Sequence, residues 1–328
     1  MIHYLNIIYF SLVTLIVFSI TQNKIVPIAN KFNLLDKDPK TKNTPLFGGV
    51  FLALGLLIIY TILLFTTNKN YFLSEFIYIF LIFFIGAYDD SKNLNPLIRL
   101  ILSSIIVLLI INHNQLLIIN FLYIDKFYIF NSFTAIFFTI LCFLLFQNAL
   151  NLMDGINCLV ISYCIFILII LTILDQSNFE IKIILIIVSF YILILNYNNI
   201  TFLGDSGVYI LSFIISVLII ETYKLNYKTF SPVDILMLFS FAGYDMFRLF
   251  IQRILKKKHP FSKDKNHLHH YLNYKIKNLF IISFIYIFSS LILFAFSYFL
   301  NLNYLLSIFL SITLYLTILF YAKNNYRN

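Results

Sequence analysis

Four aspartates stand at the borders of apolar segments, where their carboxylates could bind a metal ion or an anionic ligand through a metal. They are Asp89, Asp90, Asp154 and Asp205. Because carboxylates at the ends of membrane helices are costly to bury, a functional role is the default hypothesis for them. Hard oxygen ligands of this kind suit Mg²⁺, which usually takes one or two carboxylates and keeps waters or phosphates as its other ligands.

Three histidines, His267, His269 and His270, lie within four positions, and the whole chain has only 6 histidines. Such a group could contact anionic oxygens, could be a solvated cluster, or could bind zinc. Neither a cysteine nor a fourth nearby ligand completes a zinc site. The 3 cysteines give no disulfide framework and no metal-ligand spacing, and we interpret them as small buried hydrophobic residues.

Each acidic pattern also has a simpler structural interpretation. Asp89-Asp90 could only terminate a helix, and Asp154-Gly155 could only form a turn. The stretch 204–207 could cap the next helix, and its backbone amides could also face a phosphate. The basic run Lys256–Lys258 is typical of a topology signal or a contact with lipid headgroups.

The composition places these residues in a membrane protein. The chain of 328 residues is 61% hydrophobic and 11% charged, whereas a soluble domain carries about 25% charged residues. We predict an all-α polytopic membrane protein with about 11 transmembrane helices in a single integral-membrane domain, residues 1–328. The predicted spans are 4–20, 46–66, 71–88, 97–112, 133–151, 158–174, 181–197, 207–222, 233–252, 278–300 and 302–321.

The distribution of positive charge predicts the orientation. The segments 21–45, 89–99, 248–277 and 322–328 contain 18 of the 23 Lys and Arg residues. The positive-inside rule makes these segments cytosolic, which puts the N-terminus in the periplasm and the C-terminus in the cytosol. The short apolar stretch 115–124 is predicted to be an external hairpin or an interfacial piece.

Five polar islands interrupt the apolar pattern, and with this threading all of them fall at cytosolic helix ends. We therefore predict that they converge on one active site on the cytosolic loops. The islands are 36–49, 86–99, 148–157, 202–207 and 259–270.

In order and spacing, the islands resemble the motifs of the polyprenyl-phosphate N-acetylhexosamine-1-phosphate transferase family, which is glycosyltransferase family 4. The resemblance covers nearly the whole chain, and its histidine spacing is similar to that of the undecaprenyl-phosphate GlcNAc-1-phosphate transferase branch. The matching residues are Lys42 with Thr44–Gly49; Asp89 and Asp90; Asn148, Asn151, Asp154 and Gly155; Gly204, Asp205 and Gly207; and Pro260, Phe261, Asp264, His267, His269 and His270.

The resemblance implies a role for each group. Asp205 would bind Mg²⁺, with Mn²⁺ as an alternative, and Asp154 would lie near the metal or the nucleotide. Asp89 and Asp90 would orient or deprotonate a lipid phosphate, and Lys42 would pair with a phosphate. The residues expected to bind the diphosphate and sugar are Arg253 with His267, His269 and His270, and the other expected substrate-binding residues are Asn148, Asn151, Asn157, Asn196 and Asp264.

The chain departs from the family pattern at several positions. Asn157 and Cys158 stand where the family often has Asp and Gly, and Val208 stands where it has Ser. The family's Asn upstream of the metal Asp corresponds to Asn196, one residue short of the usual spacing. These changes could alter the specificity for the donor or cost the activity.

The implied reaction transfers HexNAc-1-phosphate, in the first place GlcNAc-1-phosphate, from a UDP-sugar to undecaprenyl phosphate and releases UMP. The implied partners are the UDP-HexNAc donor, the lipid acceptor and the bilayer of the bacterial inner membrane, with a homodimer left open and no nucleic acid. One alternative is the same chemistry with phospho-MurNAc-pentapeptide or a 6-deoxy-HexNAc. A multi-pass transporter is the alternative from another class, but the polar groups lie at the cytosolic edge rather than at midplane.

Overall fold

The computed structural model describes residues 2–36, 43–66, 73–260, 265–300 and 302–324, and these residues are almost entirely helical. Helices occupy each of the eleven segments predicted to span the membrane. The helices are α1 (Ile2–Gln22), α2 (Ile25–Phe32), α3 (Gly48–Thr66), α4 (Leu73–Lys92), α5 (Pro96–His113), α6 (Ser132–Met153), α7 (Leu159–Leu174), α8 (Phe179–Tyr197), α9 (Gly204–Asn226), α10 (Pro232–Leu255), α11 (Leu268–Ile276), α12 (Leu279–Leu300) and α13 (Tyr304–Lys323).

Six helices of the described residues are long and apolar enough to cross a membrane: α5, α6, α8, α9, α12 and α13. A seventh span results if Leu12–Gln22 and Ile25–Phe32, which are bent by 72° at their junction, count as one. These helices confirm the expected class of polytopic membrane protein. The number of eleven spans and the orientation stay predictions.

The helix boundaries follow local sequence signals. Asn95 caps α5 by accepting a hydrogen bond from the amide of Leu97, and Pro96 follows at the first helical position. Ser231 and Asp234 form a reciprocal capping box at the start of α10. Such caps satisfy amides that have no partner within the helix, and proline is tolerated there because its missing N–H is one of them.

The stretch predicted to be a hairpin or an interfacial piece forms a small hairpin. Strands β1 (Phe121–Tyr123) and β2 (Phe127–Ile129) are antiparallel, with Phe121 opposite Ile129. The amide of Tyr123 donates to the hydroxyl of Tyr223 in α9 at 2.8 Å. The hairpin is therefore fixed to a helix, and its predicted external location stays a prediction.

The chain divides into two compact units, which we describe separately. Unit 1 comprises Met1–Leu117 and Cys164–Leu218, and unit 2 comprises Ile118–Tyr163 and Ile219–Asn328. In unit 1, α8 packs on α1 and α3, and α4 packs on α3 and α5. In unit 2, α10 packs on α6, α12 and α13, and α11 packs on α12 and α13. The single-domain assignment stays a prediction.

Lys182, at the start of the predicted span 181–197, is enclosed by the protein. Lys182 belongs to the first turn of α8 and is 0% exposed. Its Nζ donates to the Asp175 carboxylate at 3.1 Å and to the carbonyl oxygens of Asp175 and Leu171 at 2.8 and 3.3 Å. Because the last carbonyls of α7 need donors and carry partial negative charge, the ammonium is stabilised at that helix end.

Candidate functional site

Unit 1 brings three of the predicted acidic residues together in an acidic cluster, which we define as Asp89, Asp90, Arg99 and Asp205. Asp89 and Asp90 lie in the last turns of α4, Arg99 lies in the first turn of α5, and Asp205 lies in the first turn of α9. The second and fourth polar islands, far apart in sequence, therefore meet here.

Asp90 caps the N-terminus of α9. Its two carboxylate oxygens accept hydrogen bonds from the amides of Asp205 at 2.7 Å and of Ser206 at 3.1 Å. A carboxylate is well placed at a helix N-terminus because it satisfies unpaired amides and complements the helix dipole. The amides expected to face a phosphate are thus already bonded to Asp90.

Burial dominates the titration of Asp90, which lies beyond the predicted apolar span of α4. Loss of solvation raises the pKa of the Asp90 carboxyl to about 6, although hydrogen bonds from Ser206 and from the Asp205 amide lower it. The neighbouring charge of Asp89 adds to the increase in pKa. The pKa rises because the loss of hydration destabilises the carboxylate more than its two hydrogen bonds from amides stabilise it.

Both carboxylate oxygens of Asp89 also accept hydrogen bonds, but from a different set of donors than those of Asp90. One oxygen accepts from Arg99 Nη1 at 2.7 Å and the other from the Leu94 amide at 2.7 Å. Asp89 is 3% exposed, so the ion pair is shielded from water and joins the end of α4 to the start of α5. Arg99 was not among the predicted site residues.

Asp205 is the accessible carboxylate of the acidic cluster. Its side chain is 31% exposed, against 3% for Asp89. Arg99 Nη1 lies 3.9 Å from an Asp205 oxygen, and the charges of Asp89 and Asp90 also act on Asp205. The cluster contains three carboxylates and one guanidinium, so it has an excess of acidic groups and offers only hard oxygen ligands, a donor set that fits Mg²⁺.

The acidic cluster depends on a close approach of three helices at Ser206. A Cβ built on Gly86 of α4 would lie 2.4 Å from the Ser206 Cα, and one on Gly49 of α3 would lie 2.3 Å from the Ser206 Oγ. Because only glycine allows such an approach, both positions require glycine.

The first island is joined to the same helix end by backbone bonds. The amides of Gly48 and Gly49 donate to the carbonyls of Phe202 and Leu203 at 2.9 and 3.1 Å. Thr201 Oγ1 accepts from the Phe47 amide at 3.0 Å. Residues 43–49 are thereby brought to the acidic cluster, whereas Lys42 lies outside the described residues.

Asn196 of unit 1 is placed behind this segment. It is 3% exposed, and its Nδ2 lies 3.3 Å from the carbonyl of Thr201. The side chain thus connects the end of α8 to the segment that leads into α9. This position favours support of the segment over direct contact with a substrate.

Unit 2 contains a histidine cluster, which we define as Asp245, Arg248, His267, His269 and His270. The ring of His269 lies between its neighbours, with centroids 5.2 Å from His267 and 4.3 Å from His270. Asp245 and Arg248 come from α10, and the histidines lie at and after the N-terminus of α11. The three predicted histidines are therefore held together by a buried acid and base that the sequence interpretation did not include.

Asp245 is the centre of the histidine cluster. Its carboxylate accepts from Arg248 Nη2 at 2.7 Å, from Tyr315 Oη at 2.9 Å and from the Leu268 amide at 3.2 Å. Its second oxygen lies 3.2 Å from His267 Nδ1. Asp245 lies within the predicted apolar segment 233–252, and the rule that singled out the other aspartates applies to it equally.

His269 is packed against the third polar island. A Cβ on Gly155 would lie 2.1 Å from His269 Nε2, so the ring lies directly over that glycine. His269 is 1% exposed, and neither ring nitrogen has a hydrogen-bond partner among the described residues. Burial lowers the pKa of His269 well below its usual value, and the neighbouring His270 and His267 lower it further. His269 is therefore neutral at physiological pH.

Asp245, His267 and His269 present ligand atoms within 4.8 Å of one another, which raises the question of a metal site. A carboxylate has about four lone-pair positions, and those of Asp245 are taken by donors from Arg248, Tyr315, Leu268 and His267. A guanidinium at 2.7 Å also repels a cation. The arrangement is that of a hydrogen-bond network rather than a zinc site.

The other predicted residues of unit 2 lie at helix ends around this cluster. Asp154 is half-buried and ends α6, and Asn148 Nδ2 donates to the carbonyl of Leu144 within that helix at 2.7 Å. Asn151 and Asn157 are half-buried. Arg253 is buried, and its Nη1 donates to the Pro260 carbonyl at 2.7 Å. Asp264 lies outside the described residues.

Cys158 shows the structural effect of one departure from the family pattern. It is buried and has φ of 68°. This left-handed conformation favours glycine and is strained for a residue that carries a Cβ. This is the position at which the resemblance leads us to expect glycine. The backbone at Cys158 therefore has the conformation that glycine adopts readily.

Fold and site geometry define a helical membrane protein with one acidic and one histidine-rich cluster, and comparisons with known proteins identify its class. The family model of glycosyl transferase family 4 matches residues 72–223. The undecaprenyl-phosphate alpha-N-acetylglucosaminyl 1-phosphate transferase of Salmonella typhi is 26% identical over 268 residues, which cover 74% of this chain and 70% of the relative.

Proteins of the same name from Escherichia coli strain K12 and Shigella flexneri are 27% identical over 267 residues, with the same coverage of 74% and 70%. The family match and these relatives support the predicted resemblance to glycosyl transferase family 4 and indicate a sugar-phosphate transferase. The predicted resemblance is confirmed.

Proposed function

We propose that this protein transfers GlcNAc-1-phosphate from UDP-GlcNAc to undecaprenyl phosphate in the bacterial inner membrane. An oxygen of the lipid phosphate attacks the phosphorus that carries the sugar. The bond from that phosphorus to the bridging oxygen breaks, and the products are undecaprenyl-diphosphate-GlcNAc and UMP. The observation that supports this most is the accessible Asp205 carboxylate within a cluster of three carboxylates and one arginine.

We propose Asp205 as the Mg²⁺ ligand of the acidic cluster. A bound Mg²⁺ would offset the charge of the phosphates and polarise their oxygens. The predicted participation of Asp154, which belongs to unit 2, stays a prediction. Asp90 and Asp89 have the task of holding the start of α9, and with it Asp205, at a fixed position relative to α4 and α5.

The same contacts favour direct attack by the lipid phosphate over a covalent intermediate on an aspartate. Both oxygens of Asp90 accept amide hydrogen bonds, and Asp89 is paired with Arg99, so neither carboxylate is free to act as a nucleophile without breaking these bonds. The second pKa of a phosphate monoester is about 6. The acceptor is therefore largely ionised at neutral pH and needs no strong base.

In unit 2, His267 and His270 are the proposed ligands of the diphosphate and sugar of the donor. His269, neutral and buried over Gly155, contributes shape and packing rather than charge. Phosphoryl transfer depends mainly on positioning and on charge stabilisation, and such a role suits rings that are held by a buried network.

The experiment that tests this proposal is UMP release by the purified protein in detergent with undecaprenyl phosphate, Mg²⁺ and a panel of UDP-sugars. We expect Mg²⁺-dependent release from UDP-GlcNAc and a loss of at least about 100-fold in Asp205→Asn, a size typical of a lost charge-stabilising group. Asp125→Asn, an exposed carboxylate in the hairpin, is the matched control and should retain full activity.

The other outcomes separate the alternatives. UMP release from a different UDP-sugar would support the transfer reaction and would indicate that Asn157 and Cys158 alter the specificity for the donor. No release from any donor by a folded preparation would contradict the proposal and reopen a transport role. A trapped phospho-enzyme at Asp90 would overturn direct attack.

A further inference from the structure

The buried carboxylate of Asp245 is held from several sides at once. Tyr315 of α13 and Arg248 of α10 both donate to Oδ1, and Arg248 Nε also donates to Tyr315 Oη at 2.9 Å. The position of the carboxylate is thus determined by two helices before any histidine is considered. A group so fixed can orient a neighbour.

The backbone before α11 is attached to this network independently of the imidazole ring. Arg248 Nη2 donates to the Asn266 carbonyl at 2.6 Å, and the Leu268 amide donates to Asp245. These bonds flank His267 on both sides. Because they already hold the backbone of the segment, the contact between His267 Nδ1 and Asp245 has a separate consequence for the ring.

That consequence is the choice of tautomer. An ionised carboxylate only accepts hydrogen bonds, so the nitrogen 3.2 Å from Asp245 Oδ2 must carry the proton. Nδ1 of His267 is then committed to Asp245, and Nε2 is the only ring nitrogen available to a ligand. Carboxylates fix the tautomer of catalytic histidines in the same way in other enzymes.

We propose that Asp245 is a positioning residue that holds His267 in the Nδ1–H form and presents Nε2 to the substrate. The substrate part of this inference rests on the proposed transfer from a sugar nucleotide. Asp245 itself is 6% exposed and acts only through the ring. Arg248 and Tyr315 keep its carboxylate in place.

The first test is spectroscopic and needs no activity. The full-length protein is labelled with ¹⁵N-histidine, and the His267 signals are identified by their loss in His267→Gln. We expect a protonated Nδ1 in the wild-type protein and a mixture with the Nε2–H form in Asp245→Asn, because the asparagine amide can donate as well as accept. A wild-type His267 with unprotonated Nδ1 overturns the inference, whether or not the variant folds.

The second test is a double-mutant cycle on UMP release. We expect Asp245→Asn to lower kcat by about 10- to 100-fold, as for other residues that orient a functional side chain, with a smaller change in the KM for the donor. Added to His267→Gln, the same substitution should cost little more, since both changes remove one function. A full multiplicative loss would show that Asp245 acts independently of His267 and would contradict the proposal.

Asp234→Asn is the matched control, because Asp234 is another buried carboxylate of α10 but bonds to Ser231 and Ser297 rather than to a histidine. It should leave the His267 signals and kcat unchanged. The two tests also separate this inference from the proposed function. A wild-type protein without transferase activity would defeat the proposed function, while the tautomer of His267 and its dependence on Asp245 would still decide the role of Asp245.

Discussion

At the residue scale, each of the two clusters contains a proposed ligand and a buried carboxylate that holds it in place. Asp205 remains accessible while Asp90 and Asp89 are bonded inside the protein. His267 is similarly oriented by Asp245, which no ligand would touch. A substitution at one of these buried carboxylates is therefore expected to act through the ligand that it positions.

The sequence identified the proposed ligands better than the residues that position them. Asp205 and the histidines stand in short polar motifs, where residue type and spacing are informative. Asp245, Arg248 and Tyr315 are scattered through apolar helices, and their contact arises only from the packing of α10 on α13. Arg99 was visible in its island, but its pairing with Asp89 needs the geometry of the turn between α4 and α5.

The left-handed Cys158 gives a prediction about stability. Cys158→Gly should be more stable than Cys158→Ala by about 1 kcal/mol, because a Cβ in this conformation costs about 1–2 kcal/mol and glycine loses part of that gain through its more flexible unfolded state. Both variants lack the sulfur, so the difference in their stability reports the cost of a Cβ in this backbone conformation. Thermal unfolding in detergent measures it, and the usual order, alanine above glycine, would contradict the strained conformation.

At the element scale, the arrangement of the acidic cluster depends on how closely α3 and α4 approach the start of α9. The length of the apolar segments predicted that these helices exist, and all eleven predicted segments are helical. The sequence did not predict the separate short helices α2 and α11. Both are too short for a span, and α2 is bent by 72° from the helix before it.

Gly86→Ala tests the close approach. The new Cβ would lie 2.4 Å from the Ser206 Cα, which is backbone and cannot rotate away. We expect a destabilisation of about 1–3 kcal/mol, typical of overpacking, together with reduced UMP release because Asp205 shifts. Gly243→Ala is the control, since its Cβ meets nothing within 4 Å. Equal stability of the two variants in thermal unfolding would argue against the close approach.

At the scale of the whole molecule, composition and charge distribution predicted a polytopic membrane protein, and the long apolar helices confirm that class. The orientation of the loops relative to the bilayer is predicted from their charge. It rests on the excess of Lys and Arg in one set of segments. Contacts within the protein do not determine it, so it needs a measurement on the protein in its membrane.

Cysteine labelling in intact cells tests the orientation. A cysteine at Lys126, in the exposed turn of the hairpin, should react with a membrane-impermeant maleimide from outside. A cysteine at Lys257, after α10, should react only once the inner membrane is permeabilised. The reverse pattern would invert the predicted topology, and labelling of both sites from outside would refute the arrangement of spans between them.

The three native thiols make that experiment simpler than it is for most membrane proteins. Cys158 and Cys164 are buried, and Cys142 is half-buried within α6. Since thiol reagents need an accessible thiolate, the wild-type protein should react very little with maleimides. The natural sequence can then serve directly as the blank into which single reporter cysteines are introduced, with no prior removal of native cysteines and no risk to the strained turn at Cys158.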